Sequence, residues 1–166
     1  MNFNKWMHLF IIAAASCFFT GCGQQQPIPQ QTIMADSSGG KETVAAANKK
    51  RVLDFYQKMF GDKDLTAVDE YIAHDYIQHN PNVADGAEAF KKAAAGWFKN
   101  APKTIIDVQH VAAEGDLVFL HLKNKNPDGR VTSTIDIFRL ENGKIAEHWD
   151  VHQDVPPKAA NAHPMF

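Results

Sequence analysis

The second half of the chain alternates between apolar and polar residues, and this pattern limits the fold more than any other feature of the sequence. A period of two places successive side chains on opposite faces of a strand. The alternation predicts four strands, at residues 104–113, 117–125, 130–140 and 144–155. Each break between them carries a turn signal, namely Gly115, the Asn-Pro-Asp-Gly run at 126–129, and Asn142 followed by Gly143. Such short connections predict an antiparallel meander.

The part of the chain before this meander has helical periodicity instead. Apolar residues recur at intervals of three and four in the segments 43–60, 65–72 and 85–101, which predicts three helices. Residues 74–81 predict a loop with a short strand, because Pro81 stops any helix. Helices followed by a meandering sheet predict an α+β fold. We expect the helices to pack on one face of a strongly curved antiparallel sheet and to enclose a cone-shaped pocket.

The N-terminal segment predicts export. An apolar run at residues 9–19 follows a polar segment with Lys5, and it is too short to span a membrane but typical of a signal-peptide core. The sequence Phe-Thr-Gly-Cys at 19–22 resembles a lipobox, where the peptidase cuts before a lipidated cysteine. Cys17 and Cys22 are the only cysteines, so cleavage would leave Cys22 without a disulfide partner. We therefore predict lipidation of Cys22, with an ordinary signal peptide as the alternative.

These features divide the chain into four parts. We predict a signal peptide at residues 1–21, a lipidated Cys22 with a tether rich in Gln, Pro, Ser and Gly at 22–41, the folded domain at 42–157, and a tail at 158–166. The expected location is the cell envelope, on the outer membrane facing the periplasm. The net charge of −2, with scattered Lys and Arg, gives no basic field for a nucleic acid partner.

Two segments carry a family resemblance. Residues 75–81 (DYIQHNP) and 135–151 (IDIFRLENGKIAEHWDV) resemble the SnoaL-like polyketide cyclases of the nuclear transport factor 2-like superfamily, which also contains ketosteroid isomerase. The resemblance implies the cone-shaped α+β fold. It also implies that Asp136 is the acid/base of an intramolecular aldol step and that His121 assists it. The general-base aspartate of the isomerase lies near a position that holds Asn80 here, with His79 beside it.

Taken without the resemblance, Asp136 has two interpretations. It lies in an apolar stretch of strand beside Ile135, Ile137 and Phe138. It could project into a pocket, where a desolvated carboxyl group suits proton transfer near neutral pH. Alternatively, it could pair with Arg139 or Lys144 at the surface. The resemblance favours the pocket.

The last strand places three polar residues on one face, because they alternate along it: His148, Asp150 and His152. Which face lines the pocket depends on the hairpin. A three-residue loop at 141–143 places Asp136 opposite His148, whereas a two-residue turn places it opposite Trp149. The superfamily pattern favours the first. The other face would then be available for a homodimer interface, formed by Ile145, Trp149 and Val151.

Two functions remain open at this point. The first is a cofactor-free enzyme for a small, largely apolar carbonyl compound, in which Asp136 moves a proton and His121 or His148 polarises the oxygen. The expected reaction is aldol-type cyclisation or isomerisation. The second is a non-catalytic lipoprotein that binds a ligand or a protein. An open pocket in which Asp136 and two histidines converge favours an enzyme or ligand site, and a closed pocket filled by Phe138 and Trp97 favours a scaffold.

The remaining pocket candidates are polar and aromatic residues: Tyr76, His79, Asn80, Trp97, Phe138, Asp150 and His152. His79, Asp150 and His152 could also ligate zinc or iron, together with His121 and His148. Their spacing matches no standard metal motif, and histidines in a mixed polar pocket are more often hydrogen-bonded groups. We therefore expect neither a metal nor an organic cofactor.

Overall fold

The computed structural model describes residues 42–126 and 128–166. The predicted signal peptide, the lipidated Cys22 and the tether lie outside the described residues. Within the described part of the chain, the helices are all too short or too polar to cross a membrane.

The helical part of the domain is interrupted by a strand. Helix α1 (Val44–Tyr56) continues directly into a π-helical turn (Gln57–Gly61) and is followed by α2 (Thr66–Tyr71). Strand β1 (Ile72–Gln78) comes next, before helix α3 (Ala87–Trp97). The helical periodicity predicts three helices before the sheet. In the structure, strand β1 of the sheet lies between α2 and α3.

The sheet has five described strands. The hairpin strands are β2 (Val108–Glu114), β3 (Leu117–Lys125), β4 (Val131–Glu141) and β5 (Lys144–Asp154). The spatial order is β1-β5-β4-β3-β2, with β1 parallel to β5 and the other pairs antiparallel. The four predicted strands are thus present, and β1 joins the sheet edge by pairing with the most distant strand in the sequence.

The core lies between α1 and one face of this sheet. Helix α1 and the π-helical turn bury Val52, Phe55 and Met59, which are at most 1% exposed. The facing strands bury alternate residues, as a half-buried sheet requires: Val118, Leu120, Leu122, Phe138 and Leu140. Burying a side chain of this size stabilises a fold by about 1.5–3 kcal/mol, so this layer fixes α1 against the strands that carry the site.

The β4–β5 hairpin differs from both predicted registers. Asn142 and Gly143 form a two-residue turn with φ values of 50° and 72°, the left-handed region that this turn requires. Leu140 pairs with Ile145 but Arg139 pairs with Glu147, so Ala146 is an extra residue. This bulge shifts the register by one, and Asp136 lies opposite Asp150.

Because of the bulge, the residues of β5 on the helix-covered face are the same ones that the three-residue loop predicts. Beyond Ala146, the cross-strand pairs on the helix-covered face are Phe138 with His148, Asp136 with Asp150, and Thr134 with His152. Ile145 lies before the bulge and is fully buried in the core. The prediction that Ile145 belongs to the outer face is therefore wrong, whereas Val151 is exposed there.

Candidate functional site

A cavity of about 340 Å³ opens between α1, α3, the loop after β1 and the helix-covered face of β4 and β5. Its apolar lining residues are Phe55, Phe60, Val83, Phe90, Trp97 and Phe138. Its polar lining residues, called the polar side below, are Tyr56, Tyr76, Gln78, Asn80, Asn82, Asp136, His148, Asp150 and His152. An apolar chamber with a few convergent polar groups is the usual form of a small-molecule site.

Asp136 is the buried acid at the centre of the polar side, with only 3% of its surface exposed. Its Oδ2 accepts a hydrogen bond of 2.9 Å from the hydroxyl group of Tyr56. Its Oδ1 lies 2.9 Å from Nε2 of His148. The ring of His148 stacks on Phe138, with centroids 4.7 Å apart. Each oxygen of the carboxyl group thus has one hydrogen-bonding partner, the phenol of Tyr56 or the imidazole of His148. The carboxyl group itself is almost fully buried.

A second polar group lies beside this pair. Asn80 Nδ2 donates to both oxygens of Asp150, at 2.9 and 2.8 Å. His152 Nε2 lies 3.1 Å from Asp150 Oδ2, and its Nδ1 lies 2.8 Å from Thr134 Oγ1. The loop after β1 and the end of β5 are therefore joined by the carboxylate of Asp150.

The surroundings change the proton affinity of four of these groups. Burial raises the pKa of the Tyr56 phenol well above its usual value, and the adjacent Asp136 raises it further. Burial likewise raises the pKa of Tyr76. Desolvation opposes ionisation of Asp150, but hydrogen bonds from His152 and Asn80 outweigh it and lower its pKa. The bond to Asp150 raises the pKa of His152. Both tyrosines therefore remain hydrogen-bond donors at neutral pH, and Asp150 remains a carboxylate.

His121 does not join this site. It lies on β3 between the buried Leu120 and Leu122, so alternation directs it to the opposite face of the sheet. There its Nε2 lies 2.8 Å from Ser133 Oγ and its Nδ1 lies 3.0 Å from Nδ1 of His110. We therefore correct the expectation that His121 assists Asp136, because the sheet separates the two side chains.

His79 is also outside the cavity. Its backbone N–H donates to the carbonyl oxygen of His148, and its ring stacks on Trp149 with centroids 4.6 Å apart. Its Nε2 lies 2.8 Å from Glu147 Oε1. The alternation that continues past the end of β1 directs Gln78 and Asn80 into the cavity and His79 out of it. The expectation that His79 lines the pocket is therefore wrong.

The other candidate residues line the cavity together: Tyr76, Asn80, Trp97, Asp136, Phe138, His148, Asp150 and His152. In the sequence, Tyr56 is one of the apolar positions of the helical segment 43–60, and no pattern singles out Gln78. Tyr56 is the last residue of α1, and only the packing of that helix against β4 brings its hydroxyl group to Asp136. Gln78 is the last residue of β1 and is the pairing partner of His148.

Two residues considered as metal ligands, His148 and Asp150, come together with Asp136. Asp136, His148 and Asp150 each offer one ligand atom, and these three atoms lie within 4.8 Å of one another. Each of the three already has a hydrogen-bond partner, and a metal would have to replace the direct contact between Asp136 and His148. Of the other residues considered as ligands, His79 and His121 lie on the outer face, whereas His152 lines the cavity beside Asp150.

A wider groove of about 530 Å³ lies outside the cavity, between β1 and the β4–β5 hairpin. Its cationic side chains are already hydrogen-bonded to other groups of the protein. Arg139 Nε donates to Glu147 at 2.7 Å, and Lys144 donates to the backbone oxygens of Asp69 and Glu70. Because the acids that line this groove, Asp75 and Glu141, are exposed, we place the candidate site in the smaller cavity.

The fold of this chain is that of the nuclear transport factor 2-like proteins. An NTF-2 like protein of unknown function from Burkholderia xenovorans LB400 is similar with a TM-score of 0.57 and 16% identity, over 71% of this chain and 92% of that chain. TsrD from Streptomyces laurentii has a TM-score of 0.55 and 22% identity, over 66% and 91%. A putative SnoaL-like polyketide cyclase from Jannaschia sp. CCS1 has a TM-score of 0.55 and 20% identity, over 69% and 91%.

Within this class, the chain belongs to the SnoaL-like polyketide cyclase family, whose model matches residues 50–160. The structural similarities, at 22% identity or less, concern the fold alone. A comparison with curated proteins gives no match. The family therefore brings the possibility of cofactor-free cyclase chemistry.

Proposed function

We propose that this protein is an envelope-anchored enzyme that binds a small, largely apolar carbonyl compound and moves a proton with Asp136 as acid/base. The reaction is an aldol-type cyclisation or an isomerisation, and it uses only side chains of the chain. The observation that carries the proposal is the buried carboxyl group of Asp136, held between Tyr56 and His148 at the polar side of an otherwise apolar cavity.

The cavity indicates the class of substrate. A volume of about 340 Å³ suits a compound of one or two rings, since small-molecule sites have volumes of about 300–1,000 Å³. Aromatic side chains supply most of the apolar wall, among them Phe60, Phe90 and Trp97. Hydrogen-bonding groups are linked to one another through Asp136 and His148. A flat, mostly apolar molecule with its carbonyl group directed to Asp136 and His148 matches this distribution.

The pair can act as acid and base together. With Asp136 as carboxylate and His148 as imidazolium, Asp136 takes the proton from the carbon next to the carbonyl group. The electron pair of that C–H bond becomes the carbon–carbon double bond of an enol, whose oxygen takes the Nε2 proton of His148. In cyclisation, the enol carbon attacks a second carbonyl carbon, and the new alkoxide takes the proton from Asp136. The first oxygen returns its proton to His148, which restores the pair.

The geometry of the cavity favours this function over a scaffold. The cavity is open rather than filled, Trp97 is half exposed, and the polar side brings Asp136, His148 and His152 together. Proton transfer by a positioned side chain contributes roughly 10²–10⁴-fold to a rate. A non-catalytic ligand-binding or protein-binding lipoprotein is the alternative, and it is distinguished by ligand binding without turnover.

Ligand binding is tested by thermal unfolding in the presence of carbonyl compounds. A ligand that binds only the folded protein, at a hundred times its dissociation constant, stabilises it by about 2.7 kcal/mol. We expect Val83→Trp, which fills the cavity wall, to abolish the shift in melting temperature. Val44→Trp is the matched control, because Val44 is 71% exposed at the start of α1, does not line the cavity and should leave the shift intact. Equal shifts in both variants would place the ligand elsewhere.

The proposed location rests on the N-terminal sequence. A Cys22 that carries two or three acyl chains would hold the domain stably on the outer membrane facing the periplasm. The tether that follows would span about 25 Å, from about 5–6 Å times the square root of its length. A homodimer through the outer face of the sheet is part of the same proposal, with Trp149 and Val151 in the interface.

Cys22→Ser tests the anchor. We expect an uncleaved precursor without diacylglycerol, because lipidation of the cysteine precedes cleavage, whereas the wild-type chain should partition into detergent. The measurements are the intact mass and phase separation in a nonionic detergent. Cys17→Ser is the matched control and should be processed normally. Normal processing of the Cys22 variant together with a water-soluble wild type would identify a plain secreted domain.

A further inference from the structure

Gln78 has the most constrained side-chain amide in the cavity. Its Oε1 accepts a hydrogen bond of 2.9 Å from the backbone N–H of Asn80. Its Nε2 donates to the hydroxyl oxygen of Tyr76 at 3.0 Å. Exchanging the oxygen and nitrogen would place an NH₂ group against the N–H of Asn80, with two donors facing each other. The backbone after β1 therefore fixes which end of the amide faces the site.

This orientation determines where His148 carries its protons. His148 Nδ1 lies 3.0 Å from the same Oε1 of Gln78, and an amide oxygen can only accept. Nδ1 must therefore be the protonated nitrogen. Nε2, the nitrogen that faces Asp136, is then an acceptor whenever the ring is neutral. At 2.9 Å from Oδ1, it forms a hydrogen bond only if one further proton is shared between Asp136 and His148.

We propose that Gln78 is a positioning residue that fixes the tautomer of His148 and so keeps a shared proton between His148 and Asp136. The inference rests on the proposed function for its role in catalysis, but not for its geometry. Without this amide, the neutral ring could move its proton to Nε2 and donate it to the carboxylate. The pair would then hold one proton fewer, and the proton that the reaction delivers to the carbonyl oxygen would be missing.

The side-chain amide of Gln78 also fixes the hydrogen-bonding role of the Tyr76 hydroxyl group. The Nε2 of Gln78 occupies a lone pair of the Tyr76 oxygen, and the phenol keeps its own proton as a donor. Within residues 42–126 and 128–166, the Tyr76 hydroxyl group makes no hydrogen bond besides this one. Tyr76 lines the cavity, so its O–H is left as a donor for a ligand oxygen there. Gln78 thus organises two donors on one side of the cavity.

The test reads the ring nitrogens of His148 directly, by nitrogen-15 NMR of the full chain in detergent micelles. The signals of His148 are identified among eight histidines by their loss in His148→Gln. The spectra are recorded between about pH 5 and 8, where histidines usually titrate. In the wild type we expect Nδ1 to keep its proton at every pH in this range. A bare Nδ1 in the folded wild type would overturn the proposal, and no variant is needed for that result.

Three variants separate positioning from a general effect on the fold. Gln78→Met has nearly the same length but no acceptor, and we expect its Nδ1 to lose the proton at the upper end of the range. Gln78→Glu keeps an acceptor and should restore the protonated Nδ1. Gln109→Met is the matched control on β2, far from the cavity, and should leave the signals of His148 unchanged. Retention of the wild-type pattern in folded Gln78→Met would contradict the proposal. No substrate enters this experiment, so its outcome is independent of the proposed reaction.

Discussion

Asp136→Asn should abolish turnover and leave the fold intact. Asn has nearly the same shape as Asp, can still accept the hydrogen bond from Tyr56, and can donate its amide to Nε2 of His148. It cannot take a proton from carbon. Because a positioned acid or base contributes roughly 10²–10⁴-fold, we expect a loss of at least this size in kcat. The measurement is the initial rate with a carbonyl compound that stabilises the wild type.

The control for this variant is Asp75→Asn, which makes the same chemical change at an exposed position on β1. Its rate should match that of the wild type. The circular dichroism spectra of both variants should also match the wild-type spectrum. Undiminished turnover in a folded Asp136→Asn protein would remove Asp136 from the acid/base role and leave the ligand-binding lipoprotein as the better hypothesis.

Phe138→Ala should strongly destabilise the fold. Phe138 is 2% exposed and lies in an aromatic cluster with Phe55, Tyr56 and the ring of His148, at centroid distances of 6.0, 6.3 and 4.7 Å. Truncation of a buried Phe to Ala costs about 3–5 kcal/mol, because it removes apolar contacts and leaves a void. In a domain of this size, that corresponds to a melting temperature lower by roughly 10–20 °C.

The neighbouring Ile137→Ala is the matched control, since Ile137 points to the other face of β4 and is only half-buried. We expect it to lower the melting temperature by less than half as much, as measured by thermal unfolding monitored by circular dichroism. A shift for Phe138→Ala no larger than that for Ile137→Ala would mean that the cluster around His148 does not hold the sheet to α1.

The strands could be predicted because hydrophobic alternation is a local signal, and β3, β4 and β5 lie within one or two residues of the predicted segments. Strand β1 was visible only as a short strand in a loop, because its partner β5 is remote in the sequence. The bulge at Ala146 has no comparable local signal. A hairpin with a two-residue or a three-residue loop and no bulge would place Asp136 opposite Trp149 or His148. The bulge after the two-residue turn places it opposite Asp150.

The site was predictable where it depends on strand parity and not where it depends on tertiary packing. Asp136, His148, Asp150 and His152 lie on one face, as the alternation and the favoured face predict. His121 was assigned by resemblance, and its pairing with Ile135 places it on the other face. Tyr56 and Gln78 contact the acid/base pair only because α1 and β1 are packed against β4 and β5. No spacing in the sequence relates these elements.

The proposed proton transfer is tested most directly by hydrogen–deuterium exchange at the carbon next to the carbonyl group of a bound compound. Carbonyl compounds that raise the melting temperature of the wild type are incubated in D₂O and followed by proton NMR. We expect the wild type to accelerate loss of that signal for at least one of them, and Asp136→Asn to bind the same compound without accelerating exchange. Equal exchange with both proteins, or none with any compound that binds, would contradict the role of Asp136 in proton transfer.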